Sequence, residues 1–444
     1  MKLRLTIGWT IVLSLVAAIG YAQNPQPQGR ALSLADALDV ARRSNPVYRQ
    51  ILNDRSPASR ELLSATTSLF LPSVNIQGSH FQRGRGDNQF IGSLILPSPG
   101  FSDRSFNVNL GYDLSGSIVA ARGLARANLT AVDQETAAAL TLLETDVRAQ
   151  YLNVLEARAR EDLARQTLTR ASENVALARA RQSVGQGTLI EVRRNEVTEG
   201  QAEVGVLTAV QTSQAQLLRL FQLMGVPAPA EPVVLTDSFP VVPLTYSADQ
   251  LIQQALSENP TLRAFRARES AAKWQTRAAR SQYLPTVSLN VNRSTGVNRQ
   301  FAADTFPEIA TNYRDPWSFS VSVSLPIFDN FNRLQSTSAA QAAEEDRRQD
   351  VRQMELRLRT DVSTAFHTVQ QAFQTIDIQR RNREAAAEAL ALATQRYRVG
   401  SGTYIELLDA RVGAEDAEAS YITAVYAYHR AIAALENAVG RPLR

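Results

Sequence analysis

Hydrophobic positions follow two different periods along the chain. From about 118 to 184, and again from about 332 to 398, there is no proline and almost no glycine, and Ala, Gln, Arg, Glu and Leu dominate. At 1.5 Å per residue each stretch predicts a helix about 100 Å long. A globular domain has no use for such a helix, whereas a coiled coil does. Val362, Ala365, Val369, Ala372 and Ile376, then Ala386, Leu390, Ala393 and Tyr397, recur at a 3,4 spacing interrupted at Gln379 and Arg383. This seam of small residues suits helices laid side by side in a wall. Shorter helices are predicted over 46–70 and 188–223; stacked end to end, they match the length of one long helix. Helices over 32–44 and 248–258 each end at Asn-Pro, where Asn caps the next helix and Pro fills its first position. Pro57 has no counterpart in the later copy of this pattern and predicts a break near it.

The period changes to two in four runs. Val74-Asn75-Ile76-Gln77 alternates, as do Phe106, Val108, Leu110, Tyr112 and Leu114 against Asn107, Asn109, Gly111, Asp113 and Ser115. Val287, Leu289 and Val291 oppose Ser288, Asn290 and Asn292, and Trp317, Phe319, Val321, Val323, Leu325 and Ile327 oppose serines at 318, 320, 322 and 324. One apolar face and one small polar face is the pattern of a membrane-spanning barrel strand, and equally of a soluble sheet with one wet face. Two hairpins set between long helices favour the barrel. Four strands cannot close one alone, because the smallest bacterial barrels use eight, so other chains would have to complete it.

The pattern is written twice. Asn45-Pro46 returns as Asn259-Pro260, Leu71-Pro72 as Leu284-Pro285, Phe106 as Phe319, Asp146-Val147 as Asp361-Val362, Gly185 as Gly400 and Gly225 as Gly440, at offsets of 213 to 215 residues. The chain is therefore expected to be a tandem duplication, 23–225 and 248–444, with hairpins over about 73–115 and 286–327. Between the copies, 226–247 carries five prolines and is expected to be an extended connector packed along the outside, or else a flexible linker. Lys2 and Arg4, the apolar run from Ile7 to Ile19 and then Gly20-Tyr21-Ala22 predict a signal peptide over 1–22; an uncleaved anchor is the alternative.

Composition removes several function classes. The chain has 444 residues, 47 basic against 43 acidic and no cysteine. The bases are spread along the chain, so no nucleic-acid footprint is read from them. Without cysteine there is neither a disulfide scaffold nor an acylated N-terminal anchor. His80, His367 and His429 are solitary, so no metal site is expected, and no cofactor or nucleophile elbow is read.

Two loops remain as candidate functional segments: Val184-Gly185-Gln186-Gly187-Thr188 and Val399-Gly400-Ser401-Gly402-Thr403. Their glycines permit sharp helix reversals and their threonines can cap the returning helices. A phosphate-cradling loop is disfavoured because no strand precedes and no Lys follows. Glu191 and Glu406 lie six residues after the first glycine of each loop, and Glu406 and Asp409 share a helix face, while Arg194 occupies the place of Asp409 in the first copy. In a threefold assembly, inward carboxylates would form cation-favouring rings. Ordinary solvated charges are the alternative.

The whole mature chain resembles the TolC-type outer membrane efflux proteins. The resemblance rests on the duplicated halves, two strands per half, long and split helices, and the segment Tyr-Arg-Val-Gly-Ser-Gly-Thr-Tyr-Ile-Glu-Leu-Leu-Asp-Ala from Tyr397 to Ala410. It implies a mainly α fold with a small β part: a homotrimer, with four strands per chain forming one 12-stranded barrel and the helices a hollow coiled-coil tunnel in the periplasm. It further implies an exit duct of a tripartite efflux or type I secretion system, set in outer membrane lipid. A periplasmic adaptor would dock at the two loops, an inner-membrane pump of RND, ABC or MFS type would drive transport, and no covalent chemistry is expected. The gate residues it implies are Tyr397, bonded to Glu191, with acidic rings at Glu406 and Asp409. A basic latch residue of the family is replaced here by Gly402. The competing expectation is a periplasmic coiled-coil structural or adaptor protein with no pore.

Overall fold

A computed structural model of the chain describes residues 30–84, 86–301 and 308–443. The expected signal peptide over 1–22 lies outside the described residues. In chain order the elements are β1 (Arg30–Leu32), α1 (Leu34–Ser44), α2 (Pro46–Asn53), α3 (Arg55–Thr67), β2 (Ser73–Arg83), β3 (Gly86–Ile91), β4 (Leu94–Ser98), β5 (Gly100–Leu114), α4 (Gly116–Ser183) and α5 (Leu189–Met224). They continue with β6 (Val233–Leu235), α6 (Ala248–Glu258), α7 (Pro260–Ser281), β7 (Thr286–Phe301), β8 (Glu308–Arg314), β9 (Trp317–Ser324), α8 (Asn332–Arg398) and α9 (Tyr404–Val439).

The long helices α4 and α8 contain 68 and 67 residues, so each extends about 100 Å. In the first half, α2 and α3 lie along one part of α4 and α5 along the other; in the second, α7 and α9 flank α8 in the same way. Helix α4 also packs on α7 and α9, which joins the halves into one body. The break near Pro57 falls at Asp54, where α2 ends and α3 begins. Pro57 has no N–H for the Asn53 carbonyl and its ring would collide with that group, whereas the first turn of a new helix tolerates it.

Each half has its own apolar core of the same construction. Tyr151, Val147, Val154, Leu220 and Met224 fill the first, and Tyr428, Val362, Val369, Leu435 and Val439 the second. The Asn-Pro corners and the glycine helix stops are two sides of one joint. Asn45 Oδ1 caps α2 by accepting from Tyr48 N at 2.9 Å, while its Nδ2 donates to Leu223 O at 2.7 Å, at the end of α5. Asn259 repeats this with Leu262 N at 3.2 Å and Ala438 O at 3.0 Å. Gly225 and Gly440 close their helices at φ 73° and 87°, and a Cβ on Gly225 would lie 2.4 Å from Ser44 O. Only glycine meets both demands.

The connector is structured. Its β6 pairs in parallel with β1. Asp237 accepts from Tyr151 OH at 2.8 Å and from Leu34 N at 2.6 Å, and Tyr428 OH donates to Val242 O. One tyrosine from each half thus holds it against the helices.

Strands β2, β5, β7 and the β8–β9 pair form one antiparallel sheet in that order, so the two sequence hairpins meet along β5 and β7. Alternation detected four runs; the structure adds the β3–β4 hairpin between the first two and the strand β8 ahead of the fourth. Asp315-Pro316 separates β8 from β9, both of which pair with β7. The last strand stops at Ser324, short of the expected Ile327, because Pro326 has no N–H for the ladder. Among the described residues no helix is long and apolar enough to cross a membrane.

Candidate functional site

The sheet separates its chemistry by face. Register places Val74, Leu110, Val291 and Phe319 in one cross-strand row and Asn75, Asn109, Asn292 and Ser318 in the next. Val74, Ile76, Phe106, Trp317, Phe319, Val321 and Val323 are all exposed, each by more than half its surface. On the opposite face Asn75, Gln77, Asn107, Asn109, Asn290, Asn292 and Ser320 line a hollow of about 390 Å³. One side is apolar without cover, and the other is a bed of amide donors and acceptors.

At the far end of the helices, α4–α5 and α8–α9 turn by the same local device. Gly185 and Gly400 take φ 76° and 79°, and Gln186 N and Ser401 N each reach back to the carbonyls of Arg181 and Arg396 at 2.9 Å. These are Schellman-type stops. Thr188 and Glu191 then form a reciprocal capping box: Glu191 N donates to Thr188 Oγ1 at 3.2 Å and Thr188 N to Glu191 Oε2 at 3.2 Å. Thr403 and Glu406 do the same, Glu406 N donating to Thr403 Oγ1 at 3.2 Å and Thr403 N to Glu406 Oε2 at 3.4 Å. Gly187 and Gly402 sit under those caps, where a Cβ would come within 3.2 Å of Arg181 Cβ and 3.0 Å of Arg396 Cβ. Val184 and Val399, at the two reversals, are 67% and 79% exposed.

The acidic residues therefore divide. Glu191 and Glu406 each have a local structural task at the third position of a helix, where a carboxylate also meets the positive end of the helix dipole. The motif Thr-x-x-Glu could have revealed this in the sequence. Asp409 is exposed, on the first turns of α9, and makes neither a hydrogen bond nor an ion pair among the described residues.

Tyr397 lies inward, 5% exposed, in a small cluster with Tyr404 and Leu407, against which Leu177 of α4 packs. The bond to Glu191 that the resemblance implies is not made within the chain: the Tyr397 hydroxyl is buried with no hydrogen-bond partner, and the Glu191 carboxylate is occupied by Thr188. Burial first, and the nearby Glu191 charge second, push the Tyr397 phenol above its ordinary pKa. The closest cation is Arg181, which sequence reasoning did not single out. Its guanidinium lies 4.5 Å from the ring centroid and its Nη1 donates to Tyr397 O at 2.9 Å. Arg194 is exposed and, with Leu189, Ile190 and Val197, lines a groove of about 550 Å³ between α5 and α9.

The family model described as outer membrane efflux protein matches residues 55–226 and 251–441. The chain is 27% identical over 339 residues to the pyoverdine export outer membrane protein OpmQ of Pseudomonas putida, across 74% of this chain and 68% of that one. It is 23% identical over 416 residues to outer membrane protein TolC of Vibrio cholerae, across 92% of this chain and 91% of that one. The solved outer membrane protein VceC of Vibrio cholerae superposes with a TM-score of 0.75 at 19% identity, covering 93% of this chain and 97% of that one.

Proposed function

The chain belongs to the outer membrane efflux protein family, and on that premise we propose that it is the outer-membrane duct of a tripartite efflux or type I secretion system. Three copies would close their sheets into one barrel, apolar outside and amide-lined inside, and continue it as a helical tunnel through the periplasm. The observation that carries this reading is the sheet itself. Among the described residues its edge strands β2 and β9 lack outer partners and its apolar face is uncovered, and helices about 100 Å long hang from it. A pore-free coiled-coil protein has no use for such a sheet.

Two further features fit the assembly. Ile190, Val197 and Val204 recur every seventh residue along α5 and are 64%, 62% and 61% exposed, a seam awaiting a neighbouring helix. Asp409, once per chain and unpaired, would become a ring of three carboxylates beside Glu406, favouring cations. The loops around Val184, Gly185, Gly187 and Thr188, and around Val399, Gly400, Gly402 and Thr403, present the surface for a periplasmic adaptor, with an inner-membrane pump beyond it. Cargo would move passively, and no residue is given a part in covalent chemistry.

Planar-bilayer recording of the purified protein tests the reading. Discrete cation-preferring channels are expected, and Asp409→Ala should lower both the preference and block by multivalent cations, with Glu406→Ala adding to the loss. A protein that inserts yet passes no current with its tips opened would sink the duct; unchanged selectivity in the double variant would remove the ring.

A further inference from the structure

The two tip turns are copies of one design, and Arg181 and Arg396 hold matching places four residues before Gly185 and Gly400. They nevertheless behave differently. Arg396 stays with its own turn, its Nη1 3.8 Å from Glu406 Oε2 in an exposed pair. Arg181 crosses to the other hairpin, stacking at 4.5 Å on the Tyr397 ring and donating to Tyr397 O at 2.9 Å, while its Nη2 reaches Gln186 O of its own turn at 3.4 Å. The residue matching Tyr397 in the first copy is Gln182, so the duplication supplies only one aromatic target. Turn formation needs neither crossing contact, since Arg396 closes an equivalent turn without one.

The surroundings set the energetic weight of that contact. The next polar link from α4 to the second hairpin among the described residues is Arg411 of α9 to Thr167 O at 3.2 Å, about 20 Å further from the tip along α4. Beyond it, α4 is joined to α8 and α9 by the small apolar cluster around Tyr397 and by Arg181. Within that cluster the Tyr397 hydroxyl is desolvated and unpartnered, which opposes the packing that buries it. A guanidinium over a largely buried ring and on a carbonyl favours the same packing.

We propose that Arg181 is the residue that closes the tip, holding the second hairpin against the first through the ring and carbonyl of Tyr397, with the Tyr397 hydroxyl biasing the tip toward release. This rests on reading the tip as a gate. It has an unusual consequence: removing the hydroxyl should tighten the tip, and removing the arginine should loosen it.

The chain has no cysteine, so Val184→Cys with Val399→Cys gives clean spin-labelling of both tips. Distances between labels and bilayer open fraction are then measured together. Arg181→Ala should populate longer distances and raise the open fraction roughly tenfold. Arg181→Lys should fall between, because lysine lacks the planar fork. Tyr397→Leu should open the tip as Arg181→Ala does, with no further gain in the double variant, whereas Tyr397→Phe should leave the open fraction equal to wild type or below it. Unchanged distances in Arg181→Ala, or opening by Tyr397→Phe as large as by Arg181→Ala, would overturn the assignment. Distances that respond while no variant conducts would keep Arg181 as the tip clasp and remove the duct; conducting variants with unmoved distances would keep the duct and remove the clasp.

Discussion

Thr188 and Thr403 each satisfy an N–H group that the first turn of a helix leaves without an intrahelical partner, and each receives a glutamate in return. Replacing either by alanine should cost about 1 kcal/mol of local stability, seen as faster amide exchange over the first turn of α5 or α9 and little change in global melting. A second residue-scale effect concerns pH. Glu196 of α5 accepts from Arg179 of α4 at 2.7 Å and from Arg193 at 2.7 Å, and these two guanidinium hydrogen bonds hold its carboxyl below the usual glutamate range. A depressed carboxylate pKa stabilises the folded state above the unfolded value and ceases to do so as pH falls through the folded one. The α4–α5 tip should therefore loosen only in acid below the ordinary glutamate pKa, and Glu196→Gln should remove that step from an exchange-against-pH curve. Most of this was legible in the residues: Thr-x-x-Glu is a cap signature, and the paired glycines mark reversals. Arg181 was not legible, because its partner is brought to it only by the packing of one hairpin against the other.

At the scale of elements, the long helices were readable because nothing in them interrupts a helix, and the break at Asp54 because a proline three residues later removes a donor. Strand pairing was less readable. Each sequence hairpin suggested its own partners, yet the longest ladder joins β5 to β7 across the halves, since alternation reports which face a residue takes and not which strand lies beside it. Helix pairing hid a further detail at Gly123, where α4 crosses α7. A Cβ there would fall 2.3 Å from Cδ2 of Trp274, whose ring also carries the Arg277 guanidinium at 4.4 Å. Gly123→Ala should force α4 and α7 apart at a cost of about 1–3 kcal/mol, measured as a lower melting temperature, with Trp274→Leu in the same background recovering part of it. A melting temperature unchanged by Gly123→Ala would mean that the crossing is looser than its geometry.

For the molecule as a whole, the decisive asymmetry is that apolar surface is concentrated where a soluble chain would not leave it. Ser320 and Val321 are neighbours in β9 and face opposite sides of the sheet, one beside the amide hollow and one on the exposed apolar face. If three sheets close with lipid outside and water inside, the same substitution at these adjacent positions must have unrelated consequences. Val321→Arg places a charge toward hydrocarbon and should cost about 2–4 kcal/mol of folding free energy in bilayers near the midplane, seen as a lower urea midpoint in vesicles and loss of the heat-modifiable folded band. Ser320→Arg places the charge in the lumen, so folding should proceed as in the unaltered chain while conductance falls and cation preference weakens. A soluble sheet would respond differently: its wet face would accept Ser320→Arg with no conductance to change, and an apolar face buried against a partner protein would reject Val321→Arg equally in detergent-free buffer without lipid. Comparing the pair in lipid and in buffer therefore asks which solvent the exposed row from Val74 to Phe319 was selected to meet.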